Sequence, residues 1–262
     1  MGEEAMQKVY EFGYWLPPDI STHGARIDNI INLMHWFMLV LFIGWSAFLI
    51  YTLVKFRARP GVAADYAGVQ THATTYIEAA VVVFEVFLLV GLSIPVWADL
   101  KVDPPTPGEA DVQIRVVGEQ FAWNFHYPGP DGKFSKTDVS LVGAENPLGL
   151  VPGDADGADD ITTINQLHFP VGKKILVNLT SKDVIHSFWL PTMRVKQDAI
   201  PGMTVPMWFE AKDTGQFEIA CAQLCGLGHY RMKGFFTVET EEEYAAWLKE
   251  QAESAAFEDD YY

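Results

Sequence analysis

Cysteine and basic side chains are both scarce in this chain. Its 262 residues include two cysteines, too few for a disulfide framework. Lysine and arginine total 18 against 34 acidic residues, which gives a formal net charge of −16. A duplex nucleic-acid binder needs basic clusters that displace counterions, so we exclude a nucleic-acid partner. Hydrophobic residues make up 49% of the chain, which excludes a disordered protein.

Two long apolar runs lie near the N-terminus. Ile30–Val54 contains no charge, and a helix of that length, at about 1.5 Å per residue, crosses a hydrocarbon core of about 30 Å. Tyr76–Trp97 is also long enough, although it contains Glu78 and Glu85. We therefore predict a transmembrane helical hairpin over residues 29–98, with spans at about 30–54 and 76–97.

The charges beside the first span predict its orientation. Lys55, Arg57 and Arg59 follow it directly, and only Asp65 opposes them in the linker 55–75. The positive-inside rule places this linker in the cytoplasm and the N-terminal tail, residues 1–28, outside. The first residues lack the apolar stretch of a cleavable signal peptide, so we expect the first span to act as its own insertion signal.

After a proline-rich connector at 99–110, the chain changes character. Residues 111–240 contain short segments rich in β-branched and aromatic residues, separated by glycine, proline and aspartate, which predicts a β-sandwich or barrel. Residues 135–165 interrupt this rhythm. Their four clustered acids, Asp154, Asp156, Asp159 and Asp160, lack the glutamate that completes a calcium loop, so we predict a solvated surface loop. Residues 241–262 read as an acidic C-terminal helix and tail.

One twelve-residue segment, CAQLCGLGHYRM at 221–232, concentrates the metal-binding chemistry. It holds Cys221, Cys225, His229 and Met232. Thiolate, imidazole and thioether form a soft ligand set that favours copper, whereas a structural zinc site would use four Cys or His ligands and leave the methionine without a role. Because a mononuclear copper site needs one cysteine, the second suggests two thiolates bridging two copper ions. A Cys221–Cys225 disulfide is the alternative.

Two bridged copper ions need a further histidine from elsewhere in the chain. His186, in IHSFWLP just past a predicted strand, is the best candidate because a turn there projects its ring toward the same end of the sandwich. His168, in QLHFP, is a weaker candidate. His126 has no partner at ligand spacing.

These motifs, with VKQDAIPG at 195–202, resemble subunit II of the haem-copper cytochrome c oxidases across nearly the whole chain. The resemblance implies an α+β membrane protein whose cupredoxin-like, Greek-key β-sandwich carries a binuclear copper centre, CuA. The ligands that it implies are the side chains of His186, Cys221, Cys225, His229 and Met232 and the backbone carbonyl of Gln223.

The resemblance also implies partners and a place in the cell. The chain would accept electrons from a cytochrome c, soluble or part of a neighbouring complex, and pass them to subunit I, whose haems and copper reduce oxygen to water while protons are translocated. Further oxidase subunits would accompany it in a bacterial inner membrane, with the copper domain on the periplasmic face. The chain has no Cys-x-x-Cys-His haem motif, so alone it performs electron transfer only.

Two positions depart from the family pattern in the external domain. Gln223 stands where many relatives have a glutamate that helps to bind magnesium or manganese at the subunit interface, which counts against that second metal although Asp198 is present. Phe121 stands where relatives accept electrons through a tryptophan, and Trp123 is the matching downstream tryptophan. This substitution favours a cytochrome domain of a neighbouring complex as the donor. The alternative is that the exchange of tryptophan for phenylalanine is functionally neutral.

Two acidic residues lie within the second predicted span. Glu78 matches a family glutamate near a proton path, and Glu85 lies two turns deeper on the same helical face, so we predict that both line a proton route. A hydrogen bond that locks subunit packing is the alternative.

The chain could instead serve a nitric-oxide-reducing haem-copper enzyme, or carry copper for oxidase assembly. A closed set of five side-chain ligands argues against an exchangeable carrier.

Overall fold

The computed structural model describes residues 16–63, 66–67, 70–102 and 104–259. These residues form two units. One is helical and covers Arg26–Asp99; the other is a β-sandwich built from the chain after residue 99, joined by the segment before residue 26.

Two long helices make up the helical unit. Helix α1 spans Gly24–Lys55, and the second helix begins with α2, Ala73–Val86, and continues to Lys101. A π-helical turn, Phe87–Ser93, precedes the final part, α3 (Ile94–Lys101). Pro95 lacks the N–H that a regular α-helix would pair four residues back, and the wider turn before it accommodates this loss. Both helices are long and apolar enough to cross a membrane.

Among the described residues, ten strands form two five-stranded sheets packed face to face. The order is β3-β2-β1-β5-β8 in the first sheet and β4-β10-β9-β6-β7 in the second. Pairs β1–β5 and β4–β10 are parallel, and the other pairs are antiparallel. The strands are β1 Val112–Glu119, β2 Ala122–Tyr127, β3 Ile161–Ile164, β4 Gln166–Pro170, β5 Lys174–Ser181, β6 His186–Leu190, β7 Val195–Ala199, β8 Val205–Glu210, β9 Gly215–Cys221 and β10 Lys233–Glu239.

Aromatic side chains fill the space between the sheets. Phe188 meets Trp123 and Phe125 edge-on, with ring centroids 5.0 and 6.2 Å apart, and all three are fully buried. Such edge-to-face pairs contribute beyond their buried area. Helix α4, Glu241–Asp259, follows β10, and its Trp247 stacks on His168 at 4.3 Å. His168 also lies 3.1 Å from Glu239, and it is not among the residues that converge with the two cysteines.

Residues 16–23, before α1, pack on the sandwich. Ile20 is buried, its backbone N–H donates to Thr192 O at 3.0 Å, and its carbonyl accepts from Lys212 N at 2.8 Å. Arg194 donates to Pro17 O from the sandwich side. The predicted external tail over residues 1–28 stays a prediction: residues 16–23 pack on the sandwich, and residues 1–15 lie outside the described part of the chain.

Two acids of the predicted surface loop are buried. The Asp160 side chain is 3% exposed; it accepts from Ser135 N at 2.8 Å and lies 2.5 Å from the His126 ring. The Asp154 side chain is 8% exposed and accepts from Lys136 N at 2.8 Å. The prediction of a solvated loop was wrong here because these carboxylates satisfy backbone N–H groups about twenty residues away in sequence, which local composition does not reveal.

The buried His126 predicts a pH-dependent stability. Burial lowers the pKa of His126 and outweighs the opposing attraction of Asp160. The folded chain therefore binds fewer protons than the unfolded chain just below the ordinary histidine pKa of about 6.5, so this contribution to stability is full above that pH and declines as the pH falls. We expect the urea midpoint of the full chain to fall between pH 7.5 and 5.5, and His126→Gln to reduce that slope. An unchanged slope in His126→Gln would contradict this reading.

Candidate metal centre

The soft-ligand segment is closed into a loop by strand pairing. Cys221 ends β9, and its backbone N–H donates to Met232 O at 3.2 Å, just before β10. Strand β6 lies beside β9 with Phe188 opposite Cys221, so His186, two residues earlier, reaches the same end of the sandwich. Long-range sheet topology thus joins a histidine to cysteines 35 and 39 residues further along the chain.

The sulfur and nitrogen atoms converge. The Sγ atoms of Cys221 and Cys225 lie 3.8 Å apart, and Cys225 Sγ lies 3.7 Å from both Met232 Sδ and His229 Nδ1. A His186 ring nitrogen and both sulfurs lie within 4.8 Å of one another. Both cysteines are free, and their separation is far beyond a disulfide length of about 2.05 Å, so the disulfide alternative is wrong.

These residues fit a soft metal. His186 is fully buried, and its Nδ1 finds no hydrogen-bond partner among the residues described. Leaving such an atom unpaired typically costs about 1–3 kcal/mol, and a metal ion would remove that cost. Two thiols, imidazole nitrogen and a thioether are the donors that copper prefers. Within the described chain, no other group of three His, Cys, Asp or Glu residues has this geometry.

The two thiols are unequal. Burial opposes ionisation of Cys221, but the neighbouring His186 ring and the backbone at Ser187 outweigh it and lower the pKa of Cys221 to about 6. Burial and the neighbouring Cys221 thiolate raise the pKa of Cys225 to about 11. Cys221 is therefore the thiol that ionises first, and a bound cation would displace the proton of the other.

Asp183, which our sequence reasoning missed, orients His186. Its Oδ1 lies 2.9 Å from His186 Nε2, while its carboxylate accepts from Gln120 N at 2.7 Å and Val184 N at 2.6 Å. Burial raises the pKa of Asp183, but these hydrogen bonds outweigh it and lower the pKa overall. The sequence does contain a signal for this role, because an acid stands three residues before a candidate ligand histidine. Ligand histidines commonly donate their second N–H to a carboxylate.

We predict that Asp183→Asn weakens copper binding by about 10- to 100-fold, the usual cost of losing an outer-shell partner. The amide group can accept at only one of its two ends, so His186 and the Gln120 amide can no longer both be satisfied. Chelator competition measures the effect. Asp213→Asn, in the exposed turn between β8 and β9, is the matched control and should leave the affinity unchanged.

Of the two aromatic residues expected to accept electrons, one lies beside the loop and one in the core. Phe121 is half-buried against the loop, and its ring lies so close to Gly228 that a side chain there would clash with it. The preceding Gln120 donates from Nε2 to Cys225 O at 2.6 Å. Trp123 is 0% exposed, and its ring lies 5.9 Å from that of His186. Of the two, only Phe121 is partly exposed beside the ligand loop.

The residues predicted for the interface metal and for the proton route have side chains outside the cluster. Asp198 is exposed on β7 opposite Ser187, and the Gln223 side chain is exposed, although Gln223 O lies 3.2 Å from Cys221 Sγ. Glu78 and Glu85 are exposed on α2, and Glu78 lines a 380 Å³ groove between the helices together with Trp45.

Comparisons with known proteins agree with this geometry. The family model described as cytochrome C oxidase subunit II, periplasmic domain, matches residues 112–238. The alternative cytochrome c oxidase subunit 2 of Bradyrhizobium diazoefficiens is 34% identical, over 91% of this chain and 84% of that protein. Cytochrome c oxidase subunit 2 of Cereibacter sphaeroides is 31% identical, over 87% and 79%.

A solved structure is also similar. The periplasmic domain of subunit II of the cytochrome oxidase of Bradyrhizobium japonicum is 34% identical and covers 58% of this chain and 99% of its own, with a TM-score of 0.43.

The fold and the donor set define a membrane-anchored β-sandwich protein with a soft-metal site. The chain belongs to the cytochrome c oxidase subunit II family, and it is therefore one subunit of an oxidoreductase complex. Copper is the metal that this family membership implies.

Proposed function

We propose that this chain is the electron-accepting subunit of a respiratory terminal oxidase. It takes electrons from a cytochrome c at a binuclear CuA centre and delivers them to a haem-copper catalytic subunit that reduces oxygen to water. The observation that carries the proposal is the convergence of two free cysteines with the buried, unpartnered Nδ1 of His186.

The residues that would hold two copper ions are those of the converged cluster. Cys221 and Cys225 supply thiolate sulfurs, His186 and His229 supply ring nitrogens, and Met232 Sδ and the Gln223 carbonyl lie beside the sulfurs. Bound there, the copper pair supplies a one-electron carrier whose charge is shared between two metal ions. The exposed Gln223 amide is a poorer ligand for magnesium or manganese than a carboxylate, so we expect no second metal with Asp198.

The protein frame keeps this cluster rigid and dry. Cys221, Cys225 and Met232 are buried with the sandwich core, and the Trp123 ring shields His186 from the interior side. Asp183 fixes the His186 ring from its other nitrogen. When the charge of such a site changes, its ligands move little and there is no nearby water to reorient. This small reorganisation favours fast electron transfer.

Phe121 is where we place the arrival of electrons. Its ring packs on the Gly226–Gly228 turn of the ligand loop, and the adjacent Gln120 side chain is hydrogen-bonded to the Cys225 carbonyl at 2.6 Å. Electrons arriving at this ring are thus one packing contact and one hydrogen bond away from a ligand residue. A cytochrome domain of a neighbouring complex is the donor that we favour.

Two membrane spans would hold the chain in a bacterial inner membrane. The basic residues Lys55, Arg57 and Arg59 after α1 support a cytoplasmic connecting segment and a periplasmic copper domain. There the domain meets donor proteins, and the two helices pack against subunit I and further oxidase subunits.

We also propose that Glu78 and Glu85 line a proton route shared with the catalytic subunit. Both lie on α2 seven residues apart, hence on one helical face, and an ionisable group at that depth normally faces a partner or water. Glu85→Ala should slow oxygen consumption and proton uptake of the assembled enzyme, whereas Glu85→Asp should restore part of the rate. Unchanged turnover in Glu85→Ala would show that Glu85 carries no protons.

The proposed function is tested by purifying the complex in mild detergent. We expect a haem-copper subunit to accompany the chain, and the preparation to consume oxygen when supplied with reduced cytochrome c. Consumption of nitric oxide but not of oxygen would assign the chain to the other enzyme class. Absence of any haem subunit, with readily exchangeable copper, would indicate a carrier.

A further inference from the structure

Arg231 lies beside the ring at which we place electron arrival. Its guanidinium carbon is 5.9 Å from the centroid of the Phe121 ring, at the outer limit of a cation–π contact. Arg231 belongs to the ligand loop, between His229 and Met232, and its side chain is exposed. A positive charge therefore sits at the edge of the contact area for any donor that touches Phe121.

No acid on the loop neutralises this charge. Residues 221–232 contain no aspartate or glutamate, and among the described residues none forms an ion pair with Arg231. Asp183 lies close to Phe121 through Gln120, but its carboxylate already receives two backbone N–H groups and faces the His186 ring. Glu119 is paired with Lys182 at 2.6 Å. Arg231 is thus the uncompensated charge at this position.

The surroundings of Arg231 on the loop are apolar. Leu227 is 97% exposed and Tyr230 is 87% exposed, while Gly226 and Gly228 hold the loop against Phe121. The rest of the external domain is acidic, with 26 acids and 13 bases from residue 99 onward. Beyond a Debye length of about 8 Å those acids are largely screened at physiological salt, so a docked donor senses Arg231 more than the distant charge.

We propose that Arg231 is a specificity-determining residue for the electron donor. It selects a donor protein that presents an apolar face with a carboxylate beside its electron-donating edge, where the carboxylate meets the Arg231 guanidinium. Basic residues further out on the donor would match the acidic remainder of the domain. This inference rests on the proposed function, because it assumes that electrons arrive at Phe121.

Two small reductants of opposite charge test the local field. Hexaammineruthenium(II) is a dication and Fe(II)-EDTA a dianion; each gives up one electron, becoming Ru(III) or Fe(III), and the oxidised centre takes that electron up. In the purified complex, Arg231→Glu should speed uptake from the ruthenium reagent and slow uptake from Fe(II)-EDTA, each by about fivefold, as expected for two charge units at roughly 7 Å in screened water.

Three variants serve as controls. Arg231→Lys keeps the charge and should keep the wild-type ratio of the two rates. Arg231→Gln removes one charge unit and should shift each rate by about twofold, which keeps the test available if Arg231→Glu fails to load copper. Lys233→Glu makes the same charge change two residues away, where Lys233 faces Phe235 and Glu218, and should have a much smaller effect.

The outcomes separate the two proposals. A ratio of rates that is the same in wild type and in both Arg231→Glu and Arg231→Gln, with copper content intact, would overturn the role of Arg231 while leaving the proposed function standing. A wild-type complex that takes no electrons at a copper centre from either reagent would overturn the proposed function itself. If Lys233→Glu shifted the ratio of the two rates as much as Arg231→Glu, the effect would come from net charge alone. This result would also overturn the inference.

Discussion

Cys225→Ser should abolish electron transfer through this chain. Cys225 Sγ stands at the middle of the cluster, 3.8 Å from Cys221 Sγ and 3.7 Å from Met232 Sδ and His229 Nδ1. A serine hydroxyl is a hard, neutral donor and cannot replace a thiolate shared by two soft ions. We expect copper to fall from two ions to at most one per chain. Cytochrome-driven oxygen consumption should drop by more than roughly 100-fold. Loss of an outer-shell partner costs roughly 100-fold at most, and loss of a ligand costs more.

The control for Cys225→Ser is the neighbouring residue. Leu224 is on the same loop but its side chain is exposed, so Leu224→Ala should retain both copper ions and load normally. Metal analysis and steady-state oxygen consumption of the complex measure both variants. A Cys225→Ser complex with two copper ions and unchanged turnover would show that the thiolate pair does not hold the centre.

Trp123→Ala should cause the largest loss of stability among single substitutions near the site. The Trp123 ring is fully buried between Phe188, at 5.0 Å, and His186, at 5.9 Å, and its removal opens a cavity that the two sheets cannot close. Truncation of a buried aromatic residue costs about 3–5 kcal/mol. Thermal or urea unfolding of the full chain in detergent measures it, and the half-exposed Trp189→Ala should cost much less.

The conservative variant of Trp123 separates packing from electron transfer. Trp123→Phe keeps most of the buried ring, so we expect it to fold, to bind copper and to accept electrons at close to the wild-type rate. A well-folded Trp123→Phe complex with slow electron uptake would mean that the indole carries electrons, contrary to the assignment of this role to Phe121.

The residues of the converged cluster could be singled out from sequence because their types are chemically distinctive. Cys221, Cys225, His229 and Met232 fall within one loop, and His186 follows from the need for another imidazole. The two long helices were equally accessible, since a charge-free run such as Ile30–Val54 has a clear length requirement. The sandwich was recognisable from its alternating segments.

What the sequence did not reveal depends on contacts between distant segments. Asp160 looked like one of four loop acids, yet it is buried against His126, 34 residues away. Ile20 and its neighbours carry no strand pattern, and their position depends on partner groups far along the chain, such as those at Thr192 and Lys212. Trp123 was predicted to accept electrons from its position in a motif, but nothing local showed that its ring would lie fully buried against Phe188 in the core.

The most direct test of the account is copper quantification together with electron paramagnetic resonance of the oxidised full chain. We predict two copper ions per chain and a signal from one unpaired electron shared between two copper nuclei, which two bridging thiolates at Cys221 and Cys225 would produce. A single copper ion with a mononuclear signal, bound zinc, or no metal at all would contradict the proposed centre and the electron-transfer function built on it.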